Sequence, residues 1–204
     1  MIFLDGDDYF LPIVGVNIFL EWGRNDFSPG NPLIYPFRSR AYTFGMRKAF
    51  TFSSTLNGVL LFEMTTMDAT PDSMIPGGWP MTFYAHHIIT QGHTNRGQWL
   101  GAGIGTGGNS QYISFTLIYP RGAGSIFIQR RNPDLDHFWF QIQNAPGAAQ
   151  NTFLDIGLSQ LFWVTRNLSV SGDLVFRRED FFPGKDGFHS RSNMHFSAMI
   201  RYLF

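Results

Sequence analysis

The sequence predicts an all-β chain: an antiparallel transmembrane β-barrel, present in part, with about ten strands. Three observations predict it. Apolar and polar residues alternate along most of the chain, as they do in strands with two unlike faces. Aromatic residues make up 17% and include 22 Phe, and such rings favour strands over helices. Hydrophobic residues reach 44% and charged ones only 15%, against about 25% charged in soluble domains. Yet no run nears the roughly 20 apolar residues of a membrane helix.

The strands fall at 13–22, 40–50, 58–67, 82–91, 98–105, 110–119, 123–131, 153–164, 168–178 and 193–204, between clusters of Gly, Pro, Asn and Asp. Several approach the roughly 9–11 residues that cross a bilayer when tilted. In 40–50, Tyr42, Phe44, Met46 and Phe50 alternate with Thr43, Gly45 and Arg47. In 110–119, Ile113, Phe115, Leu117 and Tyr119 alternate with Tyr112, Ser114, Thr116 and Ile118. In 168–178, Leu168, Val170, Gly172, Leu174 and Phe176 alternate with Ser169, Ser171, Asp173, Val175 and Arg177. The last strand, "HFSAMIRYLF", keeps the rhythm to Phe204. No composition shift divides 1–204 into domains.

Alternation alone fits a soluble sandwich as well as a barrel, whose apolar face meets lipid and whose polar face lines the interior. Three features favour the barrel. Aromatics stand at strand ends, as in Trp22, Tyr119, Trp163 and Tyr202. The cations are 13 Arg and two Lys, Lys48 and Lys185, and Arg suits fixed, partly buried ion pairs. The chain stops on a strand-terminal aromatic, like the C-terminal signal of outer-membrane barrels read by the barrel-assembly machinery. Leu174, Phe176, Phe196, Ile200 and Tyr202 are then expected to face lipid. Strands 13–22 and 193–204 are expected to be the two edges.

Counting back from Phe204 in the periplasm puts 179–192, 132–152, 106–109, 68–81 and 23–39 outside. Nearly every long connection falls on that side, as barrels require. The count needs "HFWFQIQN" (137–144) to be a loop and leaves "TGGN" (106–109) as an unusually short one. The outer loops carry candidate polysaccharide-binding residues: Trp79, Trp139, Phe182, Arg24, Asp26 and Lys185. Rings pack on sugar C–H faces, and planar polar groups meet hydroxyls.

Alternation also turns Glu21, Arg47, Glu63, Asp155, Asp173, Arg177 and Arg201 inward, with Arg131. Four acids and four arginines read as a charge network that cross-braces the lumen. A pore selective for one sign of charge would be lopsided. "GIGTGG" (Gly103–Gly108) matches a nucleotide-binding pattern, but a strand-like stretch follows where a helix is required; it reads as a glycine-rich strand and turn. His86 and His87 point to opposite faces of a strand and cannot readily share a metal. Asp134 and Asp136 read as a turn. The expectation is no metal, no cofactor and no catalytic set. Zero net charge gives no footprint for nucleic acid. "MIFLDGDDYF" is not an export signal, so one is expected upstream of a fragment.

The stretches "LEWGRNDFS" (20–28), "AYTFGMRKAF" (41–50) and "HHIITQGHTNRGQWLGAGIGTGGNSQ" (86–111) resemble Wzi-type capsule-assembly proteins. The resemblance implies a bacterial outer-membrane barrel that binds capsular polysaccharide at the cell surface, acting as a lectin rather than an enzyme. Family members are about twice as long, so this chain resembles their C-terminal part. The expected partners are surface polysaccharide and outer-membrane lipid. The alternatives are a transport channel and a membrane-embedded hydrolase, with a soluble sandwich as the outsider.

Overall fold

In the computed structural model most of the chain forms one antiparallel sheet. The structure describes residues 2–4, 9–11, 15–24, 40–68, 84, 92–96, 98–138, 149–183 and 187–203. Two short strands, β1 (Ile2–Leu4) and β2 (Tyr9–Leu11), pair with β3 (Val16–Arg24). From β3 the sheet is a meander through β4 (Arg40–Thr51), β5 (Asn57–Thr66), β8 (Asn109–Tyr119), β9 (Gly122–Asn132), β10 (Ala149–Trp163), β11 (Leu168–Pro183) and β12 (His189–Tyr202). The two-residue strands β6 (Thr94–Asn95) and β7 (Gln98–Trp99) form a separate small hairpin. Among the described residues β12 pairs only with β11, so the sheet is not closed.

Several expectations need correction. β5 pairs directly with β8, so no strand stands between them and 98–105 does not enter the sheet, which among the described residues has eight long strands rather than the ten expected. "GAGIGTGG" alternates only because every second residue is glycine. Gly105 (φ 80) and Gly107 (φ 69) take left-handed turns that no strand contains. Of 82–91 only Tyr84 is described, in a bend; His86 and His87 lie outside the described residues. Removing two strands keeps the parity, and 106–109 is part of one long connection from Met67 to Gly108. The predicted edge at 13–22 is covered by β1 and β2, whose three-residue lengths are too short for periodicity to register. β11 and β12 extend through most of the predicted loop 179–192, because Glu179 on β11 sits opposite Arg191 on β12.

β9 and β10 are neighbours, so no strand stands between them. The described part of 133–148 is a turn at Pro133–Asp134 and a short helical turn at 135–138. The β4–β5, β8–β9 and β10–β11 connections, all short, lie at one end of the sheet; the three long connections lie at the other, with the five-residue β11–β12 connection. Ser53 Oγ accepts from the Leu56 amide at 3.1 Å, and Thr165 Oγ1 accepts from the Leu168 amide at 3.0 Å. A hydroxyl thus closes both the β4–β5 and the β10–β11 turns.

Register assigns the two faces. One row across all eight long strands is Ile18, Met46, Phe62, Ile113, Ile128, Ile156, Phe176 and Met194. It is apolar throughout. One residue away in each strand, on the opposite face, the row is Phe19, Gly45, Glu63, Tyr112, Gln129, Asp155, Arg177 and Asn193. The burial is inverted relative to a water-soluble protein. Asp155 is 3% exposed, whereas Ile156 beside it is 41% exposed. Among the described residues the only buried hydrophobic side chains are Met67 and Tyr84, while Ile126, Leu158, Leu174 and Phe196 are exposed.

Leu174, Phe176, Phe196, Ile200 and Tyr202 share the apolar face. Ile200 lies near its turn end, opposite Val170, and not at mid-strand. Trp163 lies opposite Ser169 on the polar face. It is Phe162 that points to the apolar side there, so Trp163 is not one of the strand-end aromatics of the apolar face.

Candidate functional site

The polar face carries two different arrangements. On β9–β12 the charges are paired. Asp155 accepts from Arg131 Nη2 at 2.7 Å, from Arg177 Nε at 2.7 Å and from Arg177 Nη2 at 3.1 Å. Phe153, two residues along β10, has both guanidinium groups over its ring, at 5.3 and 5.4 Å from its centroid. One row up, Glu179 is held by Arg191 Nε at 2.5 Å and Asn151 Nδ2 at 3.1 Å. Arg191 also lies over Phe181, 4.7 Å from the ring centroid. Asp173 accepts from the Ser197 hydroxyl at 2.9 Å. Charge-assisted bonds of this kind are the strong ones, and they tie four successive strands together.

On the polar face of β3–β5 the described residues form no ion pair. Glu21, Arg47 and Glu63 share the polar face by register but form none of the salt bridges among the described residues. The eight expected network charges therefore divide. Arg131, Asp155 and Arg177 form one cluster. Asp173 bonds to a serine, Arg201 reaches Met199 Sδ at 3.9 Å and no acid among the described residues, and the remaining three stand apart.

The unpaired acids face a cavity of about 350 Å³. Its floor is Phe19, Thr43 and Thr65, with Glu21 and Glu63 on either side. The Phe19 ring lies across β4 where Gly45 has no side chain; a Cβ there would sit inside the ring. That is why a glycine stands in mid-strand. Thr43 and Thr65 bond hydroxyl to hydroxyl at 3.1 Å. The roof is the segment Leu100–Gly103 with Tyr84. The buried Tyr84 hydroxyl donates to Met67 Sδ at 3.6 Å and accepts from the Ala102 amide at 3.0 Å. Gly101 is pressed against the Tyr84 ring, so a Cβ at that position has no room. The strap is thereby fixed over the polar face of the sheet.

Of the expected polysaccharide contacts, Phe182 is on β11 and not in a loop. It pairs in register with Gln150, is 45% exposed, and its ring centroid lies 5.3 Å from that of Phe188. Arg24 ends β3 opposite Arg40. Trp79, Trp139, Asp26 and Lys185 lie outside the described residues. Asp134 takes φ 51 in a turn, and the Asp136 amide donates to Gly107 O at 3.1 Å. Sequence reasoning missed Phe19, Thr43, Thr65 and Tyr84 as a group. The signal that could have found them is the pair of glycines, Gly45 in mid-strand and Gly101 in the strap, each making room for a ring.

No family model matches the chain, and neither a curated protein nor a solved structure is significantly similar to it.

Proposed function

We propose that the chain is part of an outer-membrane β-barrel that attaches surface polysaccharide without enzymatic chemistry. The observation that carries the membrane part is the inverted burial: isoleucines and phenylalanines outward, Asp155 and its arginines inward. On β12 the apolar face runs from Met194 to Tyr202, eight steps of ~3.3 Å or about 26 Å along the strand. Tilted ~40°, that is about 20 Å of height, close to the ~25 Å apolar band of such barrels. The row above changes character, with Gln111, Arg130 and Arg178 on the same face, as suits a headgroup region.

The polysaccharide part is supported by the resemblance to Wzi-type proteins and by where its stretches lie. "LEWGRNDFS" brings Glu21, "AYTFGMRKAF" brings Thr43 and Gly45, and the glycine-rich stretch brings the Leu100–Gly103 strap. Three segments distant in sequence thus supply one cavity. A conducting channel is less favoured, because the polar face of the long strands carries five carboxylates (Glu21, Glu63, Asp155, Asp173 and Glu179) and five arginines (Arg47, Arg131, Arg177, Arg191 and Arg201), with no excess of either sign.

The test is capsule retention in cells. Replacing Trp79 and Trp139 together by Ala in the full-length protein is expected to release polysaccharide into the medium at unchanged outer-membrane abundance. Normal cell-bound polysaccharide at normal abundance would remove those rings from the binding surface.

A further inference from the structure

We propose that the cavity under the Leu100–Gly103 strap binds a protonated amine carried on a hydroxylated ring, an amino sugar with its nitrogen unacylated. The proposal rests on the polysaccharide reading above and adds the chemistry of the recognised unit.

The argument starts from an imbalance. Asp155 and Glu179, on the same face, each sit against at least one guanidinium. Glu21 and Glu63 do not, although Arg47 is on the intervening strand, one step from Gly45 on that face. Glu21 is exposed and Glu63 half-buried, so both carboxylates are open to a cation that enters the cavity. Here the cation is not supplied by the described side chains, and the space beside the two acids is a cavity.

The shape narrows the class of cation. Glu21 and Glu63 are two strands apart and offset by two residues. At ~4.8 Å per strand and ~3.3 Å per residue their α-carbons are about 12 Å apart. That suits a ligand of several atoms rather than one metal ion, whose oxygens must all lie within ~2.6 Å of it. Between the acids lies the face of Phe19, held flat over Gly45. An aromatic face between two carboxylates attracts an ammonium group from below while the acids bond it from the sides. Beside it are the Thr43–Thr65 hydroxyls. One proton of that pair is already used in their mutual bond, so the other is available to a ligand hydroxyl. The volume of about 350 Å³ is near the lower end of the ~300–1,000 Å³ usual for small-molecule sites, as suits one or two sugar rings.

Titration calorimetry on the full chain in detergent micelles tests this, with β-1,4-linked glucosamine disaccharide as probe. N,N′-diacetylchitobiose and cellobiose are the comparisons. Glucosamine disaccharide is expected to bind at least tenfold more tightly than either. Glu21→Gln and Glu63→Gln should each weaken it by about tenfold, the loss of one charge-assisted bond. Asp173→Asn, on the same face outside the cavity, should leave it unchanged. Equal affinity for all three sugars, insensitive to both glutamine variants, would overturn the amine assignment while leaving the polysaccharide reading intact. Loss of binding on Asp173→Asn as large as on Glu21→Gln would reveal diffuse charge attraction and overturn the site. If the folded wild-type chain binds none of the sugars, the cavity is not the site, and capsule retention still judges the function separately.

Discussion

Ile156→Arg separates a lipid-facing sheet from a water-facing one. Ile156 is the eighth of fifteen residues in β10 and lies in the apolar row between Ile128 and Phe176. With 41% of its surface exposed, an arginine there would clash with little. If that face met water, the change would cost within about 0.5 kcal/mol. If it meets hydrocarbon near the midplane, the cost is about 2–4 kcal/mol. Gln160 gives the internal calibration. It points the same way two rows nearer the tight turns, between Gly124 and Gly172, so Gln160→Arg should cost no more than about 1 kcal/mol. Both variants would be refolded into phosphatidylcholine vesicles and unfolded with guanidinium, followed by tryptophan fluorescence. The expected order is wild type, Gln160→Arg, then Ile156→Arg well separated. Equal midpoints for all three would refute the assignment of that face to lipid.

Asp155→Ala should destabilise the sheet by about 2–4 kcal/mol, because two arginines lose their common acceptor. Both are partly exposed, which keeps the cost from rising higher. Adding Arg177→Ala should cost much less in that background than alone, and a double-mutant cycle showing simple additivity would contradict the shared cluster. Gly45→Val should displace the Phe19 ring and cost about 1–3 kcal/mol; near-ultraviolet circular dichroism and the unfolding midpoint report both effects. An unchanged midpoint would mean that the ring has another resting place.

Alternation made β4, β8, β9 and β11 legible because a period of two survives whatever lies on either side. It could not say which side is covered; the burial of Asp155 and the exposure of Ile156 show that. Charge concealed the far end of β11, where "RRED" looks like a loop. Its members divide by parity, Arg177 and Glu179 to one face and Arg178 and Asp180 to the other, with Arg178 bonded to Asp180 at 2.9 Å. The strap failed for the opposite reason, since glycine at every second place imitates a strand without supplying one side-chain face. The cavity was illegible because its parts come from Phe19, Thr43, Glu63, Tyr84 and Gly101, and nothing in the local pattern announces that they meet. Glu21 and Glu63 were visible as inward acids, but the neighbours they lack are a three-dimensional fact.

The adjacency of Asp155 and Ile156 has a genetic consequence. Loss of one codon within β10 would slide every residue beyond it to the other side of the sheet. A deletion between Ala149 and Phe153 would either drag Asp155 toward the apolar side or force β10 to slip against both β9 and β11. Loss of two codons preserves the sides and shifts only the height. Length variation inside the strands of this protein should therefore survive selection in even steps. In the long connections, including the one between β3 and β4, odd and even changes should be tolerated alike.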